Sequence, residues 1–438
     1  MPRSYRDLVR LTATGVVLGL VMASCASPGE PEGGGPVTIE VPGRAATIGD
    51  ALAAARPGDT VLVSPGVYRE SVQVDKAGVT VRGTDRNSVV IDGEGLRSNG
   101  IVVTADRVVV ENLTVRGHNL NGVLVTGMRD DSGGLARGSD GYHRLDPAKF
   151  PPVKGFAVRY VTAANNGLYG VYAFDAFDGV IEQSYASGHA DSGFYVGQCK
   201  PCRIVVRDNV GEFNAVGYEQ ANASQEVYVV RNRFSHNRVG LTILSDYQEA
   251  FVPQQDAVIA GNLVTANSEP KTPAQADGAF GVGIGVAGGQ RNQVRNNRVT
   301  AHPAAGIAIG SSEDIAPIRN RLTGNVAEGN ALDLAYTATK RAPGVGNCLE
   351  TAGSWRTLPA GLVSQWRCSA GTAAVARAGV RMPPVVEPAG ISFRAVGTPP
   401  RQPGMPEGEL GRPAAQTPDW LRLPVPAATL FAERVRAR

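Results

Sequence analysis

A recurring asparagine constrains this chain more than any other feature. Asn112, Asn209, Asn232, Asn262, Asn297 and Asn325 each open a short apolar run. The units align, with Gln183 in the leading place of one: "NLTVRGHNLNGVLV" from Asn112, "QSYASGHADSGFYV" from Gln183, "NRFSHNRVGLTI" from Asn232 and "NRVTAHPAAGIAI" from Asn297. Each continues through a polar corner and a small-residue turn into a second apolar run. Where no loop intervenes the units recur every 23 to 30 residues or so, which is the spacing of a solenoid. One such unit is too thin to bury its own apolar face. The units must stack, and each strand then pairs in parallel with its copies above and below. Asn tolerates left-handed backbone at the corners, and its amide can bond the next coil. Two Asn columns are expected, the six residues above and a second set of Asn165, Asn214, Asn237, Asn267 and Asn330.

Composition agrees. Short Val, Ile and Thr runs lie between Asn and 54 glycines, with only 6% aromatic residues, which favours strands and tight turns. The net charge of +3 carries no long block of one sign, which argues against a nucleic-acid partner.

Ahead of the repeats stands "TIGDALAAARPGDTVLVSPGVYRESVQV", Thr47 to Val74. Thr47 can cap a short helix with Ile48, Leu52 and Ala55 on one face, and Val61 to Val63 reads as a strand. Together with the repeats, this opening resembles the right-handed parallel β-helix proteins of the pectate-lyase-like superfamily, over roughly residues 37–340. The resemblance implies an all-β fold, a right-handed parallel β-helix with a short N-terminal cap helix and an irregular C-terminal tail. The expected organisation is a signal peptide over 1–24, a flexible tether over 25–36, the β-helix over 37–345, a disulfide-closed segment over 346–370 and a Pro-, Gly- and Ala-rich tail over 371–438. Within that tail, Trp420 to Phe431 is expected to dock back.

Arg3, Arg6 and Arg10 precede an apolar run too short to span a bilayer, and the run ends in Met22-Ala-Ser-Cys25. That end resembles the bacterial lipobox, with Met22 in place of the usual Leu. The expectation is an exported protein anchored to the cell membrane by a lipid on Cys25; the alternative is an ordinary cleaved signal peptide. Removing Cys25 from the five cysteines leaves four, which pair as Cys199–Cys202 and Cys348–Cys368 in an oxidising compartment. Cys199-Lys-Pro-Cys202 could instead be a redox dithiol, but no helix is expected there to lower a thiol pKa.

Candidate chemistry gathers around "SGHADSGFYVGQC", Ser187 to Cys199. His189, Asp191 and Ser192 are close in sequence without forming a triad, because Ser192 should point away from the side that His189 and Asp191 share. The stretch is either a corner whose polar groups satisfy the backbone or a substrate contact. Alignment at the turn glycines places Tyr172, Tyr195 and Glu219 in one outward column, with Asp175, Gln198 and Asn222 further along the same strands. Rings beside carboxylates and amides suit sugars; cross-strand stacking is the structural alternative. Asp175, His189, Asp191 and Glu219 are the candidate catalytic residues, and Tyr172, Tyr195, Gln198 and Asn222 the candidate substrate contacts. Asp178 and Arg203 are further candidates for acid and clamp. Loops at about 128–155, 246–257 and 268–280 could wall a groove over this face.

Gly66-Val-Tyr-Arg-Glu70 matches the opening of pectin methylesterases, but their later Asp-Phe-x-Phe-Gly stretch is missing, and the motif sets of polygalacturonases and alginate epimerases are missing too. The reading is therefore a monomeric envelope lipoprotein whose groove binds a polysaccharide and could process it as lyase, epimerase or hydrolase. A non-enzymatic envelope scaffold is the rival. A metal-insertion accessory protein is a third reading, although five Met and five His form no cluster. No cofactor is identified and no metal ligands are assigned; calcium is left open.

Overall fold

The computed structural model describes residues 35–129, 146–274, 279–369, 377–408 and 416–437. Each repeat supplies three short strands, and each strand pairs only with its counterparts one coil away. Val227–Val230 lies between Ile204–Arg207 and Ala257–Ala260, Arg233–Ser235 between Val210–Glu212 and Leu263–Thr265, and Val239–Leu244 between Val216–Ala223 and Val282–Ala287, all in parallel. The chain thus winds as a three-sided coil. Two long strands, Val109–Arg116 and Ala157–Ala164, run through a corner and join the first two sides into one 20-stranded sheet. The third side is a separate 11-stranded sheet running from Val72–Val74 to Thr357–Leu358.

The core is built from in-register columns. Phe194, Tyr218, Leu241, Ile284, Ile307 and Leu334 lie one over another, all fully buried. The ends are covered. At the first coil, helix Ile48–Ala54 is capped by the Thr47 side chain, which accepts from the Asp50 amide, and by Glu70, whose carboxylate accepts from the Ile48 and Gly49 amides at 3.1 and 2.9 Å. At the other end, buried Trp366 meets Tyr336 edge-on. The parallel ladder runs past the boundary expected at 345: Cys348–Glu350 pairs with Arg321–Thr323 and Thr357–Leu358 with Leu334–Ala335. Both disulfides, Cys199–Cys202 and Cys348–Cys368, are formed.

Asparagine ladders fasten the corners inside the coil. In the first, the amides of Asn209, Asn232, Asn262 and Asn297 donate to the side-chain oxygens of Asn232, Asn262, Asn297 and Asn325 at 2.9–3.0 Å, and Ser184 supplies the rung before Asn209. Asn112 is not a rung. It sits one position earlier, in the left-handed corner column that Tyr160, Gln183, Asp208, Arg231 and Asn296 also occupy. The second ladder runs His118, Asn166, His189, Asn214, Asn237, Asn267, His302, Asn330. Asn166, not Asn165, is its member; Asn165 is a left-handed corner residue. A third ladder, Gln254, Asn292, Asn320 and Asn347, holds the remaining corner of the later coils.

Outside the first side an alternating charge column crosses five coils: Arg82, Glu111, Arg159, Glu182, Arg207, each in register with the next. Glu111 bonds Arg82 and Arg159 at 2.5 and 2.6 Å, and Arg207 bonds Glu182 at 2.6 Å.

The tail contains no strand among the described residues, yet it docks along most of its length rather than only over Trp420 to Phe431. Gly379 donates to the Ala338 carbonyl, Asn165 holds the carbonyls of Phe393 and Val396, and Gln402 and Asn87 bond each other reciprocally. It then returns: Asn296 reaches Leu423, and the buried Arg434 donates to the carbonyls of Asp208, Ser184 and Gln183. Among the described residues no helix is long and apolar enough to cross a membrane. Cys25 and the expected signal peptide lie outside the described residues.

Candidate functional site

The third sheet carries the site on its outer face. Leu124, Tyr172, Tyr195, Glu219 and Thr242 are consecutive partners in the parallel register, so the expected column is present. It is not open to solvent along its length, however. Tyr172 and Tyr195 are only 5% and 4% exposed. Tyr169 packs on both rings at centroid separations of 4.6 and 4.7 Å, and Tyr172 meets Tyr195 edge-on at 4.9 Å, a favoured aromatic geometry.

Two loops wall the space above. Met128 and Arg129 follow strand Val123–Thr126, and Asp246–Glu249 follows strand Val239–Leu244 at the same corner. Together with Val102, Leu124 and the tyrosines they enclose a cleft of about 500 Å³. The third expected loop goes elsewhere: Thr272 accepts from Ile391 of the tail. A cavity of about 620 Å³ lies under the tail segment Gly379–Glu387, but its charged groups, Lys340, Arg381 and Glu387, are exposed.

Acids border Tyr195 on two sides. The Tyr195 hydroxyl donates to the buried Glu249 carboxyl. Burial pushes the Glu249 carboxyl up to about 8, so it is protonated at neutral pH, and burial also raises the Tyr195 hydroxyl well above the usual range. One coil on from Tyr195, Glu219 receives the Ser192 hydroxyl at 2.5 Å, and the same oxygen lies 3.1 Å from Asp191. Ser192 therefore shares the side of Asp191, contrary to the sequence expectation. A hydroxyl has one proton, so it can donate to only one carboxylate; the second contact needs a proton on a carboxyl. Burial, then the neighbouring Asp191 charge, raises Glu219 well above the ordinary carboxylate range. Glu219 is thus the carboxyl of the two whose protonated form is favoured, with the Asp191 charge beside it adding to the effect of burial.

Profile comparison decides the family. The right handed beta helix region matches residues 72–252 and 152–327. The chain belongs to that family. No curated protein matches this β-helix chain in sequence. Among solved structures, it is similar to the A-module of mannuronan C-5 epimerase AlgE4 from Azotobacter vinelandii at 14% identity, covering 67% of this chain and 83% of that one, with a TM-score of 0.45. It is similar to an alginate lyase from Paenibacillus sp. at 16% identity, covering 68% and 97%, with a TM-score of 0.43. It is also similar to pectate lyase Pel9A at 13% identity, covering 88% and 96%, with a TM-score of 0.39. The likeness is of fold alone.

Several expected site residues hold the β-helix together instead. His189 is fully buried as a ladder rung, its Nδ1 facing the Asn166 amide at 3.4 Å, and burial holds its imidazole down at about 4. It cannot reach the cleft, which corrects the expectation that it is a catalytic residue. Gln198 and Asn222 are buried clamps rather than substrate contacts. Gln198 accepts from the Ala250 amide and reaches the Met128 sulfur, so it ties the two walls together. Asn222 holds the backbone of Asp246 and Glu249. Asp178 and Arg203 pair with each other at an exposed corner. Asp175 takes the left-handed position after strand Val171–Phe174, and its carbonyl accepts from Val153. Among the described residues no three His, Cys, Asp or Glu side chains group to hold a metal.

Glu249, Tyr169 and Met128 were not foreseen. Tyr169 stands just ahead of an aligned turn glycine and carried a signal, an aromatic beside the column. Glu249 lies in an insertion, where no repeat register assigns a direction.

Proposed function

We propose that this β-helix protein binds a polysaccharide on the outer face of its third sheet and supplies a proton to it. The observation that carries the reading is the Tyr195–Glu249 pair: a carboxyl kept neutral by burial, in hydrogen-bond contact with a tyrosine at the wall of an aromatic cleft. A neutral carboxylic acid at pH 7 is what general acid chemistry requires. Glu219, one coil on from Tyr195 and raised by burial and by the Asp191 charge, is the second acid. Exported, lipid-anchored attachment through Cys25 is part of the same proposal; palmitate labelling that survives Cys25→Ser counts against it.

The test is a glycan array, followed by mass spectrometry of any bound glycan after incubation. Glu249→Gln should retain binding and lose product, and Tyr195→Ala with Glu219→Ala should lose binding. A wild-type protein that binds no glycan defeats the reading.

One observation favours the rival scaffold role: Gln198 and Asn222, polar side chains on the same face, are fully engaged within the protein. Binding without turnover across lyase and hydrolase substrates would support it.

A further inference from the structure

The floor of the cleft is apolar and continuous. Val102, Leu124, Tyr172 and Tyr195 stand on four successive coils in register. Adjacent strands are about 4.8 Å apart, so the strip is about 14 Å long. Leu120 and Leu168 stand at its edge.

Among the described residues most polar groups over this strip already have partners inside the protein, and the exception, the buried Glu249 Oε2, stands beside Tyr195 at one end of it. The Tyr195 hydroxyl is bonded to Glu249. Thr126 accepts from the Met128 amide at 3.0 Å. Asn121 donates to Asn99 at 2.8 Å and accepts from the Tyr169 amide at 3.3 Å. Thr104 accepts from both Gln73 and Arg129. Among the described residues, the exposed polar side chains Arg129, Gln248 and Ser98 stand at the rim. A bare sugar chain lying along Val102, Leu124 and Tyr172, away from Glu249, would bury hydroxyls with few groups to bond, which is unfavourable. An alkyl chain would lose no hydrogen bond there and would gain from leaving water.

We infer that the cleft takes an acylated glycan, with the acyl chain on the strip of Val102, Leu124 and Tyr172 and the sugar head at the Arg129 and Gln248 rim. The inference rests on the glycan reading and narrows its substrate class to a sugar head carrying a medium-length alkyl or acyl chain. Val102 is half-buried, so a polar side chain there can still reach water, whereas Leu124 lies deeper.

Calorimetric titration of the full chain tests it with four probes below their micelle-forming concentrations: decyl maltoside, maltose, maltohexaose and decanoate. Decyl maltoside should bind at least tenfold more tightly than maltose or maltohexaose. Val102→Gln should remove most of that preference at an unchanged melting temperature, and Leu124→Ser should do the same where it folds. Equal affinity for maltohexaose and decyl maltoside, or a preference untouched by Val102→Gln, overturns the acyl inference and leaves the glycan reading standing. Decanoate binding as tightly as decyl maltoside overturns the sugar-head part. A preference for decyl maltoside in a protein that binds no array glycan supports the chain site and defeats the polysaccharide reading.

Discussion

The Asn222 side-chain amide donates to the backbone carbonyl of Glu249 at 2.8 Å, while its oxygen accepts from the Asp246 amide at 3.0 Å. One buried side chain thus holds both ends of the cleft wall. Asn222→Ala leaves these backbone groups without partners, at about 1–3 kcal/mol for each buried one. The expected outcome is faster proteolysis within 246–250 and weaker ligand binding, read by timed digestion and titration. Asn222→Asp, which keeps the acceptor but loses the donor, should fall between.

His189 gives a sharper test, because an asparagine is what the neighbouring rungs use. His189→Asn should fold as well as the parent, or better by about 1 kcal/mol through one added hydrogen bond. Glycan binding and any turnover should not change. Loss of turnover in a fully folded His189→Asn variant would restore a chemical role to this residue.

The response to acid has two opposing parts. Burial holds His189 and His302 each down at about 4, against 6.5 for an ordinary imidazole. Below pH 6.5 the unfolded chain takes up these protons first. Stability present above that pH is therefore lost as pH falls toward 4, on the order of 3 kcal/mol for each group. His302→Asn should flatten that acid limb. Glu249 acts in the other direction: its carboxyl is raised to about 8 from 4.5, so the folded state keeps a proton that the unfolded state releases. Its contribution falls as pH rises from 4.5 to 8 and then levels off. Glu249→Gln should remove this slope from melting temperatures measured across the range.

Glu111 is fully buried between Arg82 and Arg159, of which Arg159 is only 5% exposed. Glu111→Ala leaves two arginines in register with no anion between them, and should cost on the order of 3–5 kcal/mol. Arg207→Ala, at the more exposed end of the same column, should cost about 1 kcal/mol or less. Chemical denaturation of the two variants makes the comparison.

Much of this architecture could be read in the sequence. The Asn-led repeat gave the coil, and the turn-glycine alignment gave the register of Tyr172, Tyr195 and Glu219, because strand pairing between identical repeats leaves little choice. What could not be read was depth. Tyr172 and Tyr195 face outward as expected but are covered by Tyr169 and by residues from insertions such as Glu249, and an insertion has no copy to align with. The exact rungs of the ladder are hidden for a related reason. The left-handed corner and the rung are adjacent positions, and both accept Asn, so Asn112 and Asn165 read as rungs in sequence and stand one place before the rung position in the fold. His189 reads as chemical because it stands beside Asp191 and Ser192 in sequence; its burial is a property of the corner, which His118 and His302 share.

The docked tail has a mechanical consequence. Solenoid repeats touch only their neighbours, so such arrays can unzip from either end while the middle stays intact. Here Gly379 is fastened at Ala338 near one end, Gln402 at Asn87 near the other, and Arg434 returns to the middle at Asp208. Terminal fraying therefore has to peel away a strand of chain that also grips distant turns, which couples the two extremities of the rod and makes it yield as a unit.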